Sequence, residues 1–332
     1  MIGSTTLMIK AIPYIATFAG SLGFTVILTP VVERLAVRCK CIDAPDARKV
    51  HCAPTPRWGG IAIAVSVILS TVLALILFED MRIFISSRLH EGLQGLLIGG
   101  ILITILGMLD DRFNLPAKLK LLGQIAIAII MIKFGIVITF FTVPFIGFIY
   151  LPVWFSWTIS LLWIVGITNA INLMDGLDGL LAGVSAIFAL LFFIVALLKG
   201  QFLIALLMMA LAGASLGFLR FNFNPARIFM GDTGSLFLGL MYASLSIMGA
   251  FKVTTTAAMF IPMLILGIPI FDTSFAIFRR FMGGRPIFQP DKEHVHHQLL
   301  ARGLTVRQAV IYIYALSGIL GGIGLSLALI IR

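Results

Sequence analysis

Residues 180–198 read LLAGVSAIFALLFFIVALL, an apolar run with no charged side chain anywhere in it. A helix needs roughly 20 such residues to cross the hydrocarbon core of a bilayer. The run is far longer than the roughly 4–8 residues of a buried strand. Nine further segments of spanning length flank it: Ala11–Leu35, Trp58–Phe78, Leu93–Leu109, Leu119–Phe140, Phe155–Leu173, Phe202–Leu219, Gly234–Ala250, Ala257–Phe278 and Gln308–Ile331. Composition agrees with them. Of 332 residues, 60% are hydrophobic and only 11% are charged, against about 45–50% and 25% in soluble domains. Too few ionisable groups remain to cover a water-soluble particle. A soluble enzyme, a disordered chain and a secreted disulfide scaffold are all excluded. The expected fold is an all-α integral membrane protein: a polytopic bundle of about ten transmembrane helices forming one domain, 1–332. The stretch Phe141–Trp157, with Pro144, Pro152, Tyr150, Trp154 and Trp157, reads as a re-entrant or interfacial piece.

The loops between these spans differ in charge. One side takes Val37–Arg57, Asp110–Lys120, Met174–Gly179, Arg220–Thr233 and Arg279–Arg307, and with Arg34 it carries 17 of the 24 Lys and Arg. The other side holds Lys10, Arg82, Arg88, Lys133, Lys199, Lys252 and Arg332. By the positive-inside rule the first side is cytoplasmic and both termini lie outside. A net charge of +10 then reflects topology, and no nucleic-acid partner is expected. The three cysteines, Cys39, Cys41 and Cys52, share one loop and read as free thiols. Of the 14 acids only Glu79, Asp80 and Glu91 fall outside; the rest gather on the cytoplasmic side, several at the mouths of spans, where carboxylates are costly and usually functional.

Four constellations carry the chemistry. Asp110-Asp111 closes the third span, with Lys118 and Lys120 beyond it. Adjacent carboxylates need a counter-charge, so a base or metal anchor competes with a plain helix-end cap. Asn169-Ala-Ile-Asn172-Leu-Met-Asp175-Gly176-Leu177-Asp178-Gly179 contains no basic residue to compensate its two acids. Phe221-Asn222-Phe223-Asn224-Pro225-Ala-Arg227-Ile-Phe229-Met-Gly231-Asp232-Thr233-Gly234-Ser235 puts an acid at the positive end of a span, either as a cap or as a ligand for a hard divalent ion. The last cytoplasmic loop holds Arg279, Arg280, Arg285, Lys292, His294, His296 and His297, an anion trap. An earlier loop, Arg48 to Gly60, offers further phosphate contacts or simply an interfacial anchor. Asp272 stands seven residues before Arg279 on one helix face, and an internal ion pair and catalysis fit that spacing equally.

These motifs resemble the polyprenyl-phosphate N-acetylhexosamine-1-phosphate transferase superfamily, which includes MraY and the WecA/TagO-like enzymes. The match runs from Arg48 to His297, and the His-x-His-His run after Pro290-Asp-Lys292 looks like the WecA/TagO branch. The resemblance implies transfer of a sugar 1-phosphate from a UDP-N-acetylhexosamine, UDP-GlcNAc being favoured, to undecaprenyl phosphate at the inner membrane, with release of UMP. It implies Mg²⁺ (or Mn²⁺) held by Asp232 and Asn172. It places Asp175, Gly176, Leu177, Asp178, Asn222 and Phe229 in a nucleotide pocket, and Lys120, Arg280, His294, His296 and His297 around the phosphates. Asp110 and Asp111 correspond to an aspartate pair that deprotonates or orients the lipid phosphate. A homodimer is admitted.

Phospho-MurNAc-pentapeptide transfer is the alternative chemistry. A secondary transporter is the rival class, but the acids sit at one face and no internal repeat is visible, unlike the usual transporter plan. The CDP-alcohol phosphotransferase signature is matched only from Asp175 to Ala182, with Gly183 where its arginine belongs.

Overall fold

Without water, every backbone N–H and C=O must be satisfied within the chain, and the apolar runs fold as helices. The computed structural model describes residues 2–43, 54–83, 87–143, 147–250, 257–284 and 294–330. In chain order these are α1 (Ile2–Arg38), the strands β1 (Ile42–Asp43) and β2 (Thr55–Pro56), α2 (Gly59–Leu77), α3 (Glu79–Ile83), α4 (Ser87–Phe113), α5 (Ala117–Lys133), β3 (Phe140–Val143), β4 (Gly147–Tyr150), α6 (Val153–Met174), α7 (Leu180–Leu198), α8 (Phe202–Asn222), α9 (Gly231–Ala250), α10 (Ala257–Ile265), α11 (Gly267–Met282), α12 (Val295–Ala301) and α13 (Val306–Ile330).

Among the described residues, seven helices are long and apolar enough to cross a membrane, within α1, α2, α4, α6, α7, α8 and α13. Their outward faces expose large apolar side chains such as Ile27, Leu162 and Ile319, as a lipid-facing surface requires. The chain is a multi-pass membrane protein.

Three expected spans fall outside those seven. The fourth stops at Lys133 instead of Phe140, because Gly135 adopts φ +84° and closes a Schellman motif: Ile136 N donates to Met131 O (3.1 Å) and Gly135 N to Ile132 O (3.0 Å). The following residues form an antiparallel hairpin, with Phe140 opposite Tyr150 in the register of β3 and β4, where a re-entrant or interfacial piece was expected. The ninth span is divided into α10 and α11 at Leu266. Pro269 has no N–H to return to the Ile265 carbonyl, so the helical ladder loses a rung there. The eighth is α9, sheathed by protein: Leu236, Phe237, Leu238, Leu240, Met241 and Tyr242 are all buried.

The interior is organised around α8 and α9. α8 packs on α1, α2 and α7, and α9 on α2, α4 and α6. The approach is closest at the N-terminus of α9, where Gly60 of α2 and Gly107 of α4 lie so near that a Cβ on either would overlap the backbone of residues 232–234. Gly60→Ala is therefore expected to destabilise the fold by about 1–3 kcal/mol or more. Gly23→Ala is the control, because a Cβ there meets nothing within 4 Å. Thermal midpoints and size-exclusion profiles in detergent check the pair; equal midpoints would contradict the packing described.

Candidate active site

The C-terminal ends of α4, α6 and α8, the N-terminus of α9 and the start of α12 converge on a cleft of about 610 Å³. Its lining includes Asp111, Asn172, Asp175, Gly176, Leu177, Asp178, Asn222, Phe229, Asp232 and His297. Residues more than a hundred positions apart thus meet at one place.

The two adjacent aspartates have separate tasks. Asp111 is buried and clamps the first turn of α9: Oδ1 accepts from Asp232 N (2.9 Å), and Oδ2 from Thr233 N (3.0 Å) and Thr233 Oγ1 (2.6 Å). This is a helix cap donated by another helix, satisfying N–H groups that have no partner within α9. Neither Thr233 nor Ser235 supplies it. Gly231, at φ +69°, is required where the clamp closes, since a Cβ would strike the Asp111 carboxylate. Asp110 faces elsewhere, accepting from Leu115 N (2.9 Å) and Lys120 Nζ (3.0 Å).

With its backbone held, Asp232 turns its carboxylate into the cleft. It accepts from Asn172 Nδ2 (3.0 Å) and from Lys120 Nζ. Asn172 also donates to Ser235 Oγ at 2.7 Å. Asn169 behind it is fixed by a reciprocal amide pair with Gln124 (2.6 and 3.3 Å). Gln124 was not anticipated; the signal was a lone amide inside an apolar span. The Asp175 carboxylate receives no hydrogen bond among the described residues, and burial, reinforced by Asp111 and Asp178, pushes it up to about 7.

Asp178 and Asn222 shape the loop before α9. Asp178 Oδ2 accepts from Asn224 Nδ2 (3.0 Å) and Ala226 N (3.1 Å). Asn222 accepts from Gly179 N (3.0 Å) and donates to Ile228 O (2.9 Å). Both amide ends of Asn222 are thus committed to backbone, so it braces the pocket although it lines it. Phe229 is locked in register by its N–H on Pro56 O (2.8 Å) and by its carbonyl, which accepts from Gly59 N (3.0 Å).

The last-loop residues divide. His297 lines the cleft. His296 is buried, its ring packed on the Gly176 backbone where a Cβ would otherwise sit. His294 is turned onto Asp272, Nδ1 to Oδ2 at 2.8 Å, with Val295 N on Oδ1 at 3.0 Å. Arg280 is in the last turn of α11, outside the cleft lining among the described residues. Arg285 and Lys292, like Arg48, Lys49, His51 and Cys52, lie outside the described residues. Cys41 is buried and its thiol is pushed up to about 11 by burial, which makes it unreactive.

Burial, with the charges of His297 and His294, pushes His296 down to about 4. It folds neutral, whereas in the unfolded chain it binds a proton near 6.5. Between those values the unfolded state holds more protons, so stability is complete above about pH 6.5 and falls as pH drops toward 4, by at most about 1.4 kcal/mol per pH unit. His296→Gln should flatten that slope in detergent melts at pH 4.5–7. An unchanged slope would assign it to another group.

A model of glycosyl transferase family 4 matches residues 93–250. The chain is 44% identical over 305 residues to a probable undecaprenyl-phosphate N-acetylglucosaminyl 1-phosphate transferase of Bacillus subtilis, covering 92% of this chain and 82% of the relative. It is 38% identical over 316 residues to a decaprenyl-phosphate N-acetylglucosaminephosphotransferase of Mycobacterium leprae, covering 89% and 79%. A phospho-N-acetylmuramoyl-pentapeptide-transferase of Staphylococcus saprophyticus is 33% identical over 307 residues, covering 90% and 93%.

Proposed function

This chain belongs to glycosyl transferase family 4, and from that premise we propose that it transfers N-acetylglucosamine 1-phosphate from UDP-GlcNAc to undecaprenyl phosphate, releasing UMP. The observation that carries the reading is a carboxylate-lined cleft at the mouths of membrane helices, where a lipid phosphate and a cytosolic nucleotide can meet. A phosphate oxygen of the lipid bonds to the β-phosphorus of the donor. The bond from that phosphorus to the bridging oxygen breaks, and UMP departs with the electron pair. Two anions must approach, so the barrier is largely electrostatic.

The side chains suit a hard divalent cation, Mg²⁺ or Mn²⁺: the Asp232 carboxylate, Asn172 once its amide turns so that the oxygen replaces the Nδ2 now on Asp232, and, in the same cleft lining, an Asp175 carboxylate lacking any described donor. Such an ion, when bound, would offset the phosphate charge and polarise the phosphoryl oxygens. Asp232 and Asn172 would hold it, while the Asp111 clamp keeps Asp232 in place. Phe229 offers its ring to uracil, and Lys120 and His297 offer charge to phosphates. We read α5, α9 and the α10–α11 pair as the remaining crossings, ten in all. Both termini then lie outside and the cleft opens to the cytoplasm from the inner membrane, because the cationic loops lie on the cleft side.

Purified protein with UDP-GlcNAc, undecaprenyl phosphate and Mg²⁺ should release UMP, and none when lipid phosphate is omitted. UDP-MurNAc-pentapeptide in the same assay should release far less. No UMP from any UDP-amino sugar would overturn the proposal.

A further inference from the structure

The cleft described above is lined mainly by acids, and Lys120 reaches Asp232 from outside that lining. Asp43, Asp111, Asp175, Asp178 and Asp232 line it, and the one Lys or Arg in its lining among the described residues is Arg57. Arg57 belongs to none of the four constellations but to the loop Arg48 to Gly60, whose sequence left phosphate contacts and an interfacial anchor both open. It follows β2, directly after the strand pairing of Asp43 with Thr55, and its backbone N–H reaches Cys41 O at 3.0 Å.

Two features give Arg57 a fixed place. Pro56 O accepts from Phe229 N, and Gly59 N donates to Phe229 O, so the Arg57–Trp58 step is laid alongside Phe229. Trp58 secures that step, with φ +80° and its indole N–H on Met108 O at 3.2 Å. The side chain is fixed as well: Nη2 donates to Asp43 Oδ1 at 2.6 Å, and only 26% of the side chain is exposed. Nε and Nη1 have no hydrogen-bond partner among the described residues.

Resting on the donor reading of the site, we infer that Arg57 binds the pyrophosphate of the nucleotide sugar, with Asp43 as its positioning residue. If uracil stacks on Phe229, the phosphates begin one ribose away, beside the element Phe229 is bonded to. A guanidinium with one corner held by a carboxylate and its remaining N–H groups open is suited to a phosphate fork. Lysine at the same place carries the charge but not the fork.

Equilibrium binding of UDP-GlcNAc, UMP and uridine to the detergent-solubilised full chain tests this. Arg57→Ala should weaken UDP-GlcNAc and UMP by about 10- to 100-fold, the scale of charge-assisted hydrogen bonds, and leave uridine within about twofold. Arg57→Lys should recover part of the loss, and Asp43→Asn should raise KM for the donor more than it lowers kcat. Equal UDP-GlcNAc affinity in Arg57→Ala and wild type overturns the assignment alone, as does an equal loss for uridine. Wild type that binds neither UDP-GlcNAc nor UMP overturns the donor reading itself. If Arg57→Ala does not fold, Arg57→Lys decides: unchanged UMP affinity in that variant refutes the fork.

Discussion

Asp232→Asn is expected to lower turnover by about 10³-fold or more while leaving the folded protein intact. The side chain keeps its shape and one acceptor for Asn172 Nδ2, now 3.0 Å away. What disappears is the negative charge at the point where Lys120 and Asn172 both converge. A role confined to helix electrostatics predicts something much milder, since an acid in a helix's first turn is worth about 0.3–1 kcal/mol. The two readings separate in one assay. UMP release near the wild-type rate, with an unchanged thermal midpoint, would remove Asp232 from the proposed metal site. Binding of Mn²⁺ followed by electron paramagnetic resonance should show the same loss in the absence of substrate.

The second large effect concerns Asp111, where neighbouring residues of identical type should behave differently. Asp111→Asn replaces an oxygen that accepts from Thr233 N and Thr233 Oγ1 with an amide or leaves the other oxygen's bond to Asp232 N unmade. The cap on α9 then fails, at about 1–3 kcal/mol, and Asp232 is no longer held. Displacement of about 1 Å at a reacting centre costs about 10²-fold, so activity and thermal stability should fall together. Asp110→Asn keeps the bond from Leu115 N and touches only the Lys120 contact, so its midpoint should stay near wild type. A base acting from Asp111 would instead give lost activity at full stability, and that result would contradict the clamp.

The helical architecture was legible because lipid imposes one rule on every backbone group, and runs such as 180–198 obey it without exception. Span limits were less legible. Residues 134–140 are apolar and continue the pattern of the fourth span, yet a single glycine at φ +84° ends α5, and hydropathy carries no record of a left-handed residue. The division between α10 and α11 falls just before Pro269, inside a segment that hydropathy reads as one span.

At the site, residue types and spacing located Asn172, Asp175, Asp178, Phe229, Asp232 and His297, all of which line one cleft. Their individual tasks were not readable, because a carboxylate that caps a helix and one that faces a ligand are the same letter. Asp111 and Asn222 proved to be committed to backbone groups of segments distant in sequence. Spacing left Asp272 open to an ion pair with Arg279 or to catalysis, and among the described residues it accepts instead from His294 and Val295. Asp43 reaches the site only through tertiary packing, which no local pattern announces, whereas Gln124 carried the faint signal of an amide in an apolar span and Thr55 lay in the loop Arg48 to Gly60.

The most direct measurement follows phosphorus. UDP-GlcNAc labelled on its β-phosphate is incubated with the purified protein, undecaprenyl phosphate and Mg²⁺, and lipid and aqueous products are separated. Transfer of sugar 1-phosphate requires the β-label to move into the lipid fraction, with the nucleotide leaving as unlabelled UMP. If the β-label instead remains in the aqueous fraction as UDP, the sugar alone was moved and the proposed chemistry is wrong.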